Sequence, residues 1–262
     1  MNAKPIGIFD SGVGGTSIWK EIHALLPHEN TIYLADSMNA PYGQKTREEI
    51  IALSIKSTEL LLARGCKLIV VACNTATTNA ISHLREKYDV PFIGIEPAIK
   101  PAALNSGTGT VGVLATKGTL SSSLFLKTSK DHAGEINIVE REGVGLVPLI
   151  EAGKINTIET KQLLIKYVKP MLEANMDNIV LGCTHYPYLV PVLREILPPH
   201  VNIIDCGSAV AKQTLAVLKK AHLQNLKKTP GRIQFYTNKD IEILTSFLED
   251  VDNLKQISYL SF

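Results

Sequence analysis

One phrase is written twice in this chain, as Leu68-Ile-Val-Val-Ala-Cys73-Asn-Thr75 and as Asn178-Ile-Val-Leu-Gly-Cys183-Thr-His185. An apolar run, a small residue, a cysteine and then hydroxyl, amide or imidazole side chains predict a parallel strand that delivers a thiol to its C-terminal edge. In open α/β sheets that edge is where ligands bind. Two such edges facing one another place a sulfur on either side of a small molecule. That arrangement can take a proton from one face of a carbon and return one to the other, which is inversion of a stereocentre.

The rest of the chain is organised around the same repetition. Strand-like Pro5–Asp10, a helix after Gly15, strand-like Thr31–Ala35, a helix over Arg47–Ala63, strand-like Lys67–Ala72, a helix over Thr77–Tyr88 and strand-like Pro91–Gly94 alternate in sequence. Such alternation predicts mostly parallel sheets with helices on both faces. A second start appears at Thr110-Val-Gly-Val-Leu-Ala115, which echoes Pro5-Ile-Gly-Ile-Phe-Asp10. Gly7 lies 66 residues before Cys73, and Gly112 lies 71 before Cys183. The expectation is two similar α/β domains related by a pseudo-two-fold, with the active site in the cleft between them. The boundary falls near Glu96–Ala98. The tail, with a strand over Arg232–Tyr236 and a helix around Asp240–Glu249, returns to the first domain. Residues 1–97 with 208–262 then form one domain and 98–207 the other.

Composition removes several classes of function. Lys and Arg total 27 against 25 Asp and Glu, a net charge of +2 with no basic tract and 6% aromatics. Neither a phosphate-tracking stripe nor a base-stacking platform is present, so nucleic acid is not the expected partner. No apolar run reaches membrane-spanning length and the N-terminus is too short in apolar residues for a signal peptide, which predicts a cytoplasmic protein. Cys66, Cys73, Cys183 and Cys206 are scattered through a chain large enough to fold on its core, so reduced thiols are expected. No Cys-x-x-Cys or paired histidine spacing suggests zinc or thiol-redox chemistry.

Individual motifs refine the picture. Asp10-Ser-Gly-Val-Gly-Gly15 follows a strand and opens a helix, but Ser17 stands where a dinucleotide fingerprint needs glycine, and there is no Gly-Lys-Ser/Thr. Its small residues let the backbone, with the Ser11 hydroxyl, approach a compact polar ligand, or simply make a tight strand-to-helix turn. Free cysteine is often a small buried hydrophobe, and that reading suits Cys66 and Cys206. The matched surroundings of Cys73 and Cys183 favour chemistry instead, because a free thiol ionises near pH 8.5 and both forms are accessible near neutrality. His185, two residues past Cys183, is placed to tune it or to make an ordinary loop hydrogen bond. Asp10 and Glu151 are candidates by position alone.

Taken together, Phe9-Asp-Ser-Gly-Val-Gly-Gly15, Ala40-Pro-Tyr-Gly43, Ala72-Cys-Asn-Thr-Ala76, Gly112-Val-Leu-Ala-Thr116 and Leu181-Gly-Cys-Thr-His-Tyr-Pro187 resemble the glutamate racemases over almost the whole chain, in order and at comparable spacing. The resemblance implies a cofactor-independent enzyme that supplies D-glutamate for bacterial peptidoglycan, commonly as a homodimer. It implies that Cys73 takes the α-proton of D-glutamate and Cys183 that of L-glutamate, with Asp10, His185 and Glu151 as auxiliary groups. Substrate contacts would come from Asp10, Ser11, Pro41, Tyr42, Gly43, Asn74, Thr75, Thr116, Thr119, Thr184 and His185. No metal is expected. Thr16 replaces the family's usual leucine, and Ser37-Met-Asn-Ala40 replaces its more usual threonine and basic residue.

Two readings compete with this one. An aspartate or hydantoin racemase of the same two-cysteine superfamily would carry different phrases around its thiols. A non-catalytic, two-lobed amino-acid-binding protein would need neither an acid nor a base, yet both thiols are kept. A pyridoxal-phosphate racemase would need a Schiff-base lysine and a phosphate cup, for which no pair stands out.

Overall fold

The computed structural model describes residues 3–132, 136–251 and 255–262. Its first half runs β1 (Ile6–Asp10), α1 (Thr16–Leu25), β2 (Thr31–Ala35), α2 (Arg47–Ala63), β3 (Leu68–Val71), α3 (Asn74–Lys87) and β4 (Phe92–Ile93). Next come α4 (Ile99–Leu104), β5 (Thr110–Ala115), α5 (Lys117–Leu120), α6 (Ser123–His132), β6 (Asn137–Glu142), α7 (Leu146–Glu151), α8 (Ile158–Glu173), β7 (Asn178–Gly182), α9 (Val190–Ile196) and β8 (Asn202–Ile204). The tail supplies α10 (Gly207–Lys220), β9 (Ile233–Thr237), α11 (Ile241–Ser246) and β10 (Lys255–Tyr259).

Two all-parallel sheets result, and they repeat each other. The larger has the order β10-β9-β2-β1-β3-β4 and the smaller β6-β5-β7-β8, so β6-β5-β7-β8 matches β2-β1-β3-β4 strand for strand. The register matches too. Ile8 pairs with Val70 and Val113 with Val180, each three residues before its cysteine. The duplicated phrase is therefore a duplicated position, at the C-terminal edge of the strand that pairs with β1 in one sheet and with β5 in the other. Helices covering both faces bury β1, β3, β5 and β7 throughout, which is why these strands are apolar runs rather than alternations.

The tail joins the first sheet: β9 pairs with β2, β10 pairs with β9, and α10 packs along α1. The strand β10 has no counterpart among the sequence-based expectations. Its half-buried, mixed pattern Lys-Gln-Ile-Ser-Tyr is that of an edge strand rather than of a central one.

Local signals set the helix ends. Thr46 and Glu49 form a reciprocal capping box at the start of α2, a device of about 1 kcal/mol. Thr157 caps α8 and Asp240 caps α11. At α3 the structure departs from the expected start at Thr77. The helix begins at Asn74, and the sulfur of Cys73 is its cap, accepting from the Ala76 N–H at 3.4 Å. A thiol is not a usual cap, so the three residues before Thr77 read as a loop. The helix expected over Asp240–Glu249 is likewise shorter, Ile241–Ser246.

Candidate active site

The two cysteines line one cavity. With them are Ser11, Pro41, Tyr42, Gly43, Asn74, Thr75, Thr116, Thr184 and His185, and one residue that the sequence reading did not select, Val147. The space measures about 10 Å³ at the centre of a water-sized sphere, enough for one water molecule. The cleft is narrow between the two thiols. Asp10, Glu151 and Thr119 stand behind the lining, each bonded to residues that form it.

Cys73 comes from the first half, and its surroundings are hydroxyl and carboxyl. Its thiol donates to Ser11 Oγ at 3.6 Å, and the Ser11 hydroxyl in turn donates to Asp10 Oδ1 at 3.5 Å. Asp10 also accepts from the Gly15 N–H at 2.8 Å and from Thr184 Oγ1 at 3.4 Å. Burial, and after it the Asp10 carboxylate, push the Cys73 thiol well above its ordinary range, while the Ala76 N–H and the Ser11 hydroxyl pull it down. Burial also lifts Asp10 to about 6, against the His185 charge and the Gly15 N–H.

Cys183 comes from the second half, and its neighbours are imidazole and carboxylate. Although β7 ends at Gly182 and a turn begins, His185 Nδ1 lies 3.7 Å from Cys183 Sγ, and His185 Nε2 lies 2.6 Å from Glu151 Oε1. Burial disfavours charge on the ring, but the hydrogen bonds to Cys183 and Glu151 outweigh it and raise His185 well above 6.5. Burial also works to raise Glu151. The bond and charge of His185, the Val13 N–H and the Ser37 hydroxyl outweigh it and hold the carboxyl below its ordinary value. At neutral pH this is an imidazolium on a carboxylate, with the second ring nitrogen aimed at the sulfur. One thiol thus sits beside a carboxyl and the other beside a cationic donor.

The glycine loop plays a different part from the one expected. A Cβ on Gly12 would fall 1.9 Å from Glu151 Oε1, and one on Gly14 would fall 2.3 Å from His185 Nδ1. These glycines make room for two side chains of the other half, and Ser11 alone of the loop lines the cavity. Val13 donates its N–H to Glu151 Oε1 at 2.7 Å. Thr16 donates to Val13 O at 2.6 Å and meets Tyr188 Oη across the cleft at 2.5 Å, so the hydroxyl that replaces leucine is fully used.

Other expected contacts sort by geometry. Thr75, Thr116 and Thr119 form a hydroxyl cluster across the halves, with Thr75 and Thr116 2.8 Å apart and Thr119 3.1 Å from Thr116. Thr119 is fully buried behind the other two. Tyr42 lines the cavity, and its hydroxyl donates to Asp36 Oδ2 at 2.5 Å. Asn74 lines the cavity, and both of its side-chain polar atoms are buried without a hydrogen-bond partner in the protein. Val147 was legible in principle, because it stands four residues before Glu151 and shares its face of α7.

All four cysteines are free and buried. Burial pushes Cys66 and Cys206 up to about 12, and neither lines the cavity that Cys73 and Cys183 share. Among the described residues no group of three or more His, Cys, Asp or Glu is placed to hold a metal ion, and no helix is long and apolar enough to cross a membrane.

Two parallel α/β halves that meet at paired thiols define a racemase-type site, and comparison with known proteins agrees. The Asp/Glu/hydantoin racemase family model matches residues 8–214. A glutamate racemase of Herpetosiphon aurantiacus is 48% identical over 240 residues, covering 92% of this chain and 94% of that protein. The structure of Escherichia coli glutamate racemase in complex with L-glutamate and the activator UDP-MurNAc-Ala superposes with a TM-score of 0.87 at 34% identity, covering 98% of each chain. That of the Francisella tularensis glutamate racemase in complex with D-glutamate gives 0.85 at 27% identity, covering 100% of this chain and 98% of the other. The chain belongs to the Asp/Glu/hydantoin racemase family, and within it to the glutamate racemases. It is an isomerase.

Proposed function

We propose that this enzyme interconverts L- and D-glutamate by a two-base 1,1-proton transfer between Cys183, the substrate α-carbon and Cys73. What carries the reading is the pair of thiols at register-equivalent strand ends of two sheets, lining one cavity. The Cys183 thiolate takes the α-proton of L-glutamate, and the Cys73 thiol delivers its own proton to the opposite face, leaving D-glutamate, a Cys183 thiol and a Cys73 thiolate. The reverse reaction starts from that second state. Proton exchange with solvent returns one state to the other.

The flanking groups suit these roles. The imidazolium of His185, seated on Glu151, offers a cationic donor to the Cys183 sulfur, while the Ser11 hydroxyl and Ala76 N–H meet charge that develops on Cys73. Asn74 and the Thr75, Thr116 and Thr184 hydroxyls hold the substrate carboxylates by hydrogen bonds in a dry cleft. A cavity the size of one water cannot admit glutamate, so the two halves must part for entry and close for reaction. The moving bodies would be residues 1–97 with 208–262, and residues 98–207. The reaction needs no cofactor. The product serves peptidoglycan synthesis in the cytoplasm, and the enzyme works as a homodimer.

The test is to incubate the reduced protein with L-glutamate without added cofactor and follow optical rotation. The expected result is decay to zero from either enantiomer, with aspartate unchanged. A protein that racemised aspartate and left glutamate untouched would move the assignment to another branch of the family.

A further inference from the structure

The relay behind Cys183 does not end at Glu151. Glu151 Oε1 already accepts from His185 Nε2 and from the Val13 N–H. Its other oxygen, Oε2, accepts from Ser37 Oγ at 3.0 Å. Ser37 is buried, at 4% exposure, and belongs to the opposite half of the molecule. A carboxylate gripped through one oxygen can rotate about its last bond. One gripped through both has a fixed plane, and the imidazole on it then has a fixed direction.

The loop that carries Ser37 is itself held rigidly. Asp36, buried just before it, accepts from Tyr42 Oη, from Asn39 Nδ2 at 2.8 Å and from Asn238 Nδ2 at 2.5 Å. Asn238 in turn accepts from the Met38 N–H at 2.9 Å. A few residues on, Pro41, Tyr42 and Gly43 of the same loop form a wall of the catalytic cavity. The bond from Ser37 to Glu151 therefore joins the wall that shapes the substrate space to the relay that serves one sulfur.

We propose that Ser37 is a positioning residue of the racemase reaction, fixing Glu151 so that His185 addresses Cys183 in the closed cleft. The proposal rests on the reading of Glu151 and His185 as the support of Cys183. It requires the hydroxyl and not merely the volume of the side chain.

The experiment compares Ser37→Thr with Ser37→Val, matched in shape and different in the hydroxyl, alongside Ser37→Ala, Glu151→Gln and the Ser37→Val/Glu151→Gln double variant. Thermal melts check that each is folded. Because the equilibrium constant of a racemisation is one, kcat/KM falls equally from both enantiomers. Ser37→Val and Ser37→Ala should lose about tenfold, the range of a lost charge-assisted hydrogen bond, and Ser37→Thr should keep wild-type activity. The double variant should be no slower than Glu151→Gln alone.

A pH profile separates positioning from packing. Losing a donor to the charged form lets Glu151 protonate at higher pH, so the acid limb of kcat/KM should shift upward in Ser37→Val and not in Ser37→Thr. The groups facing Glu151 are His185, Asp10 and Tyr33, Lys239 and Asp240 line with Ser37 and Glu151 a second cavity of about 350 Å³ beside the catalytic one, and all of these neighbours are unchanged across the series. If Ser37→Val equals Ser37→Thr in rate and limb while Glu151→Gln is slow, Ser37 has no such role and the relay stands. If Glu151→Gln itself runs at the wild-type rate, the relay reading fails and the Ser37 proposal goes with it.

Discussion

The Val13 N–H donates to Glu151 Oε1 at 2.7 Å, so a loop in one half of the molecule is the seat of a carboxylate in the other. Each half contributes one sulfur, and each supports the other half's chemistry. Asp10, behind Cys73, is held partly by Thr184, while Glu151, which backs the relay to Cys183, is held by Val13 and Ser37. On the proposed mechanism, bringing the halves together and assembling the acid–base groups are one event.

Gly14 is where this dependence is most easily broken. An alanine there would put its Cβ 2.3 Å from His185 Nδ1, so the ring and the loop must shift relative to each other. Misplacement on the ångström scale costs about 10²-fold, so Gly14→Ala should lose about that much kcat/KM in both directions, measured by circular dichroism. The overpacking should also cost about 1–3 kcal/mol of stability in a urea melt.

Asp10 should leave a signature in the pH dependence of stability. Its carboxyl titrates near 6 in the folded protein against 3.8 as the ordinary value. Below about pH 4 it is protonated in both states. Between 4 and 6 only the unfolded chain loses the proton, so this group weakens the fold as pH rises, and above 6 its effect is constant. At 1.36 kcal/mol per unit the full swing is about 3 kcal/mol. Asp10→Asn should gain about that much relative to the wild type between pH 4 and 6.5 in urea melts. A constant difference over that range would show that the carboxyl titrates like an exposed one.

Asn74 should trade function against stability. Its amide is 2% exposed and both polar atoms lack partners, and each buried unsatisfied group costs about 1–3 kcal/mol. Asn74→Ala is therefore expected to melt no lower than the wild type in the absence of substrate, while KM for glutamate rises by about tenfold or more. A large loss of unliganded stability would mean that the side chain is already satisfied.

Cys73→Ala and Cys183→Ala should each abolish racemisation from both enantiomers. Each should still exchange the α-proton of one isomer, D-glutamate for the protein that keeps Cys73 and L-glutamate for the one that keeps Cys183. Proton NMR in D2O reads this directly, and exchange of both isomers by a single-thiol variant would contradict the assignment of faces.

Much of this architecture was legible because its strands are buried on both faces. The runs 68–71 and 178–182 can hardly be anything but central parallel strands, and the cysteines at their ends follow. What lay across the cleft was not legible. Ser37 is an ordinary residue in an ordinary context, and its importance comes from a carboxylate more than a hundred residues away; Val147, on the same face of α7 as Glu151, could have been found from that spacing. The glycine loop misled in the same way, since its small residues announce a close approach without saying what approaches. The start of α3 was missed because a sulfur stands in for the usual cap. The edge strand β10, half exposed and mixed in composition, carries almost no pattern to read.

The central claim is that two different sulfurs serve the two faces of the α-carbon. The most direct measurement is the isotopic content of both enantiomers during the first few per cent of conversion of L-glutamate in D2O. With two bases, the D-glutamate formed should carry deuterium at the α-carbon, while the remaining L-glutamate keeps its protium. Deuterium entering both pools equally from the start, or protium retained in the D-glutamate, would point to a single base and contradict the account.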